Sequence, residues 1–187
     1  MNAGAATLYS KDTAELEADL RKTAGLVEKD RIEDVKERRP ELISGYEQLE
    51  LMSLKEGMVD SAKATLKSAK QKDAPKYAPK TYTQAEDELS LALSVLDADR
   101  TKTDKANTHA ERAKWLAERS MGITELIKDF DRRDYTREDV VLWYQTQLSE
   151  IGEPLGTQLP FDAPNRSVVL GMQGSINDLI RQRDETA

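Results

Sequence analysis

If this chain carries out chemistry, few side chains can take part. His109 is the only histidine, set in Thr108-His109-Ala110-Glu111-Arg112, and cysteine is absent. Zinc is held by several His and Cys ligands together, so these residues cannot assemble such a site. A solitary imidazole on a charged helix is expected to be solvated. Asp129, Asp131 and Asp134 supply hard oxygen ligands, but a calcium loop needs glycine, alternating oxygens and a closing bidentate Glu. Arg132 and Arg133 stand among them instead, so a solvated connector is expected. The chain has no glycine-rich phosphate loop and no Gly-x-Ser-x-Gly nucleophile turn. These residues predict no enzyme, no metal and no cofactor.

Binding is better provided for. Aromatic residues make up only 5% of the chain, yet Phe130, Tyr135, Trp143, Tyr144 and Phe161 fall close together, flanked by Arg132, Arg133 and Arg137. Trp, Tyr and Arg dominate the energetics of protein interfaces. The set is therefore a candidate partner-binding surface, with Trp143, Tyr144, Tyr135, Phe130, Arg132 and Arg133 at its centre. The alternative is that these rings fill the joint between a short helix and a bundle. A second charged feature is Ser61 to Lys80, where six lysines face Asp73 alone. It suits an anionic partner, or else the acidic flank Glu86, Asp87, Glu88, Asp97 and Asp99 of a returning helix. Exposed pairs of that kind specify register more than they stabilise.

The elements that position these residues centre on Ala62 to Ala117. Ala62, Leu66 and Ala69 lie on one helix face, as do Ala85, Leu89, Ala92 and Leu96, then Ala106, Ala110, Ala113 and Ala117. Between the first two arms, Pro75, Tyr77 and Pro79 form a pivot, because two prolines four residues apart do not suit an unbroken helix. The pattern predicts an antiparallel helical pair with a narrow alanine seam. The polar stretch Asp97 to Asp104 is either a turn, giving three helices, or a continuation. The stripe keeps phase through Leu96, Asp99, Thr103 and Ala106, which favours a continuous or bent helix. Thr83 with Glu86 resembles a capping box for the returning arm.

Elsewhere, a first helix from Ser10 or Asp12 places Leu16, Leu20, Ala24 and Val27 on one side. Lys36-Glu37-Arg38-Arg39 followed by Pro40 suggests a helix end and a new start, the alternative being one kinked helix that continues through Pro40. The second helix then runs from about Glu41 to Lys72, with a stripe that drifts and so can touch two neighbours. Thr136 with Asp139 opens a short helix ending near Gly152. Residues 153–164 hold three prolines and Gly156 and predict an extended crossing, pinned by Leu155, Leu159 and Phe161. Asn165 or Ser167 starts a final helix that stops without a closing signal, as if the chain continued. The domains expected are a loose tail over 1–10, a bundle over 11–151, a linker over 152–164 and a C-terminal helix over 165–187.

The positions Ala62, Leu66, Ala69, Ala74, Tyr77-Ala78-Pro79, Ala85, Leu89, Ala92, Ala106, Ala110 and Ala113 resemble an alanine-rich helical domain of unknown function. That domain occurs in bacterial envelope lipoproteins and N-terminal to OmpA-like peptidoglycan-binding domains. The likeness covers about 55 residues and departs at the longer polar stretch Asp97 to Asp104. It implies a periplasmic, outer-membrane-associated scaffold or spacer. Peptidoglycan would be gripped only by a domain outside this chain.

Charged residues reach 34% and the net charge is −7. The first favours long helices with thin cores, and the second argues against nucleic acid as a partner. No apolar run is long enough to span a bilayer. The start Met1-Asn2-Ala3-Gly4-Ala5-Ala6 lacks a basic and apolar leader, as in a cytosolic protein or one whose signal was removed. The expected fold is all-α, an elongated antiparallel hairpin or bundle of long helices with a short docked helix and a C-terminal helix. The expected function is non-enzymatic contact with a protein partner or a second copy of the chain. A cytosolic helical adaptor or regulatory subunit would use the same surfaces.

Overall fold

The computed structural model describes residues 9–186. Among these the fold is all-α, with no strand. Its helices are α1 (Ser10–Val27), α2 (Ile32–Gln71), α3 (Ala74–Tyr77), α4 (Pro79–Ala98), α5 (Thr103–Arg132), α6 (Arg137–Gly152) and α7 (Asn165–Thr186). A 3-10 turn at Glu153–Leu155 follows α6. The chain divides into two compact units, Met1–Ile127 and Lys128–Ala187. No described helix is long and apolar enough to cross a membrane.

In the first unit α2 is the spine. Its second half packs against α4 and α5 in a helical bundle whose seam is alanine. Ala69, Ala85, Ala92, Ala106, Ala113 and Ala117 are all fully buried, at 0% exposure. Alanine loses no side-chain entropy on burial and lets helix axes approach closely. Leu66, Tyr82 and Leu116 fill the space at one end of the seam. Val59 meets Ala92 and Ala110 further along it.

The chain doubles back at the prolines. Asp73 adopts φ 68° after α2, a left-handed conformation that Asp tolerates better than most residues. Pro75 lies in the first turn of α3, where its missing N–H is not needed, and Pro79 opens α4 in the same way. Both prolines are exposed and Tyr77 is half-buried, with the Lys76 ammonium 4.8 Å from its ring centre. The pivot residues that enter the core are Ala74 and Ala78. No side-chain cap forms at the start of α4, so the expected box of Thr83 with Glu86 is replaced by the Ala78–Pro79 start.

Two expectations about breaks are corrected. Asp97 to Asp104 contains a turn and not a continuing helix. Asp99 becomes extended, and its carboxylate accepts hydrogen bonds from the Thr101 N–H at 3.0 Å and the Thr101 hydroxyl at 2.6 Å. A side chain that satisfies the backbone locally competes with the helix. Arg100 then reaches across to Glu47 at 2.8 Å and Glu50 at 3.0 Å, tying the turn to α2. Pro40, in contrast, lies inside α2. The break comes earlier, where Arg31 N–H bonds to Leu26 C=O and Asp30 N–H to Val27 C=O, with Asp30 at φ 55°. That is a Schellman ending. Lys36 is exposed, so water can satisfy the carbonyl that Pro40 leaves without an N–H.

α1 lies antiparallel to the first half of α2. Tyr9 donates its hydroxyl proton to Glu56 at 3.1 Å, and Leu16 sits over Gly45, where an added Cβ would be 2.5 Å from Leu16 Cδ2. Thr13 and Thr23 are the buried residues of α1. Leu20 and Val27, expected to face the core, remain about half exposed at 48% and 52%. Trp115 also faces outward, with the Arg119 guanidinium 5.4 Å from its ring centre.

In the second unit, the 153–164 segment is held against its own helices. Leu159 and Val168 are buried, and the Thr157 and Ser175 hydroxyls are 2.6 Å apart. Gly152 lets the chain approach closely there, since a Cβ would make a tight 3.1 Å contact with the Thr157 carbonyl oxygen. The box expected at Thr136 and Asp139 is present at the start of α6.

Candidate functional site

The aromatic and arginine set is built by the end of α5. Tyr135 N–H bonds to Phe130 C=O at 3.0 Å and Asp134 N–H to Asp131 C=O at 3.2 Å, with Asp134 at φ 53°. This Schellman ending brings the residue after the turn back onto the last helical turn. Tyr135 accordingly stacks on Phe130, with centroids 5.4 Å apart and planes at 13°. The capped start of α6 then sets Trp143 edge-on to Phe130 at 5.4 Å. Tyr144 meets Trp143 edge-on at 4.7 Å. Four of the five expected rings therefore form one connected group, and Phe161 is not part of it. Phe130, Tyr135 and Trp143 are half-buried, while Tyr144 is 49% exposed.

Asp129 organises the charge beside these rings. It accepts from Arg132 at 3.0 Å and Arg133 at 2.9 Å, leaving most of each guanidinium in solvent. Arg133 lies 6.0 Å from the Tyr135 ring centre. A hydrogen bond to Tyr135 and the charge of Asp129 raise its pKa above the usual arginine value. Asp129 is thus engaged with arginine, and among the described residues no His, Cys, Asp and Glu group could hold a metal ion. Rings with exposed edges beside two held cations can bind a partner that offers both apolar and anionic groups.

His109 is less solvated than expected. Its Nδ1 is 2.7 Å from Glu88 Oε2, and Glu88 also accepts from Arg112 at 2.9 Å. The cluster joins α4 to α5, and Glu88 is only 17% exposed. Cross-helix charge pairing also occurs at Lys55 with Asp97 and at Lys72 with Glu125. Glu88, expected beside the basic flank of α2, turns to α5.

Sequence reasoning missed an open apolar groove of about 780 Å³ along α1 and the first half of α2. Leu20, Val27, Leu42, Ile43 and Tyr46 line it, with Arg39, Glu47 and Glu50 as charges. The drifting stripe of α2 was the available signal, since a second apolar face needs a second neighbour. Comparison with protein families, curated proteins and solved structures finds no match to this chain.

Proposed function

We propose that this chain is a non-enzymatic helical scaffold of the bacterial cell envelope, the N-terminal region of an OmpA-family protein. In this role it spaces or positions a peptidoglycan-binding domain in the periplasm and contacts a protein partner. The observation that carries the contact surface is the connected group Phe130, Tyr135, Trp143 and Tyr144 beside Arg132 and Arg133. Aromatic anchors with arginine at their edge are the composition of interface hot spots. The envelope assignment is supported by the resemblance carried by Ala62 to Ala113. An alanine seam suits a spacer, because tightly packed rods resist bending.

The test places a photo-cross-linking residue at Tyr144 in the full reading frame and follows cell fractionation. Periplasmic recovery and one discrete protein adduct are expected. With Trp143→Ala the adduct should disappear while Tm stays within a few degrees. Cytoplasmic recovery removes the envelope assignment. A large loss of Tm with Trp143→Ala would make the rings packing for the α6 joint and not a contact surface.

A further inference from the structure

α1 packs along the first half of α2, and the apolar groove runs where the two helices meet, walled by both. Leu20, Val27 and Ile43 in its wall are 48%, 52% and 45% exposed. A contiguous apolar patch of this kind marks an interaction surface. What fits it follows from the order of charges along α2. Arg39 stands toward one end, Glu47 and Glu50 toward the other, and Leu42, Ile43 and Tyr46 lie between. Arg39 and Glu50 are roughly 16 Å apart along the axis at 1.5 Å per residue.

That order is complementary to itself when reversed. A second α2 laid antiparallel, with a two-fold axis between Ser44 and Gly45, sets Arg39 opposite Glu50. The same register sets Ile43 opposite Tyr46 and Val35 opposite Leu54, while Leu42 faces Glu47, so most of the facing pairs match apolar with apolar or cation with anion. A parallel, in-register copy would instead place Arg39 on Arg39 and Glu50 on Glu50, which like-charge repulsion disfavours. A net negative charge remains for the pairing, because Glu47 and Glu50 together face the single guanidinium of Arg100. Arg39 makes no ion pair among the described residues. Glu47 and Glu50 each give one oxygen to Arg100 and keep the other.

We infer that two copies of this chain pair through the groove, α2 antiparallel to α2. The two α1–α2 hairpins thereby complete a four-helix bundle. The interface uses the same patch on both copies, so it closes as a dimer and does not propagate into a filament. It lies within the first unit and goes beyond the proposed aromatic contact surface.

Sedimentation equilibrium of the whole chain from about 1 to 100 µM tests this, because a dimer responds to concentration. A monomer–dimer equilibrium is expected. Ile43→Asp should weaken it by about tenfold or more, since a buried unpaired charge is costly. Arg39→Glu should do the same by placing carboxylate against carboxylate, and R39E/E50K should restore association to within a few-fold. Circular dichroism of each variant verifies that α1 and α2 remain helical, and the restored double variant shows that lost pairing is not lost folding. A monomer throughout this range overturns the inference. So does a dimer indifferent to these substitutions, the outcome if another face pairs or a different ligand occupies the groove.

Discussion

The Tyr135 ring lies stacked on the Phe130 ring, 5.4 Å between centroids, because Asp134 turns the chain with φ 53°. An Asp in this conformation carries strain that glycine does not. Asp134→Gly should keep the stack and raise stability by up to about 1 kcal/mol. Asp134→Val should cost about 1–3 kcal/mol, because a β-branched residue resists positive φ. Urea denaturation gives the stability, and near-ultraviolet circular dichroism reports whether the rings remain ordered.

The alanine seam has no room for larger side chains. Ala113→Leu should destabilise by about 1–3 kcal/mol through overpacking. Leu96, 1% exposed, should cost about 2–5 kcal/mol when cut to alanine. Trp115→Ala, at a position 56% exposed, should change stability by less than either. Equal effects at all three positions in urea melts would contradict the packing described.

Pro40 offers a test of the α2 spine. Since it lies inside a 40-residue helix, Pro40→Ala restores an N–H to the ladder and removes a penalty of about 3 kcal/mol relative to alanine. The freer unfolded chain of the variant offsets part of that. A net gain of about 1–2 kcal/mol is expected in chemical denaturation. If Pro40 opened a separate helix, no gain would be seen.

Acid should loosen the turn between α4 and α5. The Thr101 hydroxyl first, and the Thr101 N–H second, hold the Asp99 carboxyl below its ordinary value. The unfolded chain therefore binds the proton more readily over that interval, so stability rises with pH there. The contribution is complete above the unfolded value, about 3.9 for Asp, and is lost as pH falls through the lower folded one. Thr101→Val should flatten the acid limb of a Tm-against-pH curve. At the other extreme, burial and then the Glu86 charge raise the Tyr82 pKa. Stability should fall as pH climbs past the ordinary tyrosine value near 10, and Tyr82→Phe should remove that fall.

The helices and the alanine seam were legible in the sequence because steps of three and four place residues on one face whatever the surroundings. The end of α2 near Lys72 and the cap at Thr136 were legible too, since left-handed turns and capping boxes depend on adjacent residues. The breaks were less so. Leu96, Asp99, Thr103 and Ala106 keep helical phase, yet Asp99 captures Thr101 and Arg100 captures Glu47 and Glu50, residues about 50 positions earlier. At Pro40 local chemistry favoured a new start, while the Asp30 ending ten residues earlier had already made it.

Sequence alone determined that this protein is helical, thin-cored and acidic, with its rings gathered near Phe130 and Trp143. Local periodicity and short-range turns settle such matters without reference to the rest of the chain. Only the tertiary structure decided which faces stay covered. It turned Trp115, Leu20 and Val27 outward, drew His109 onto Glu88 and left the groove between α1 and α2 open. Those outcomes depend on which helices meet, and a periodic stripe specifies that a face is buried without specifying against what.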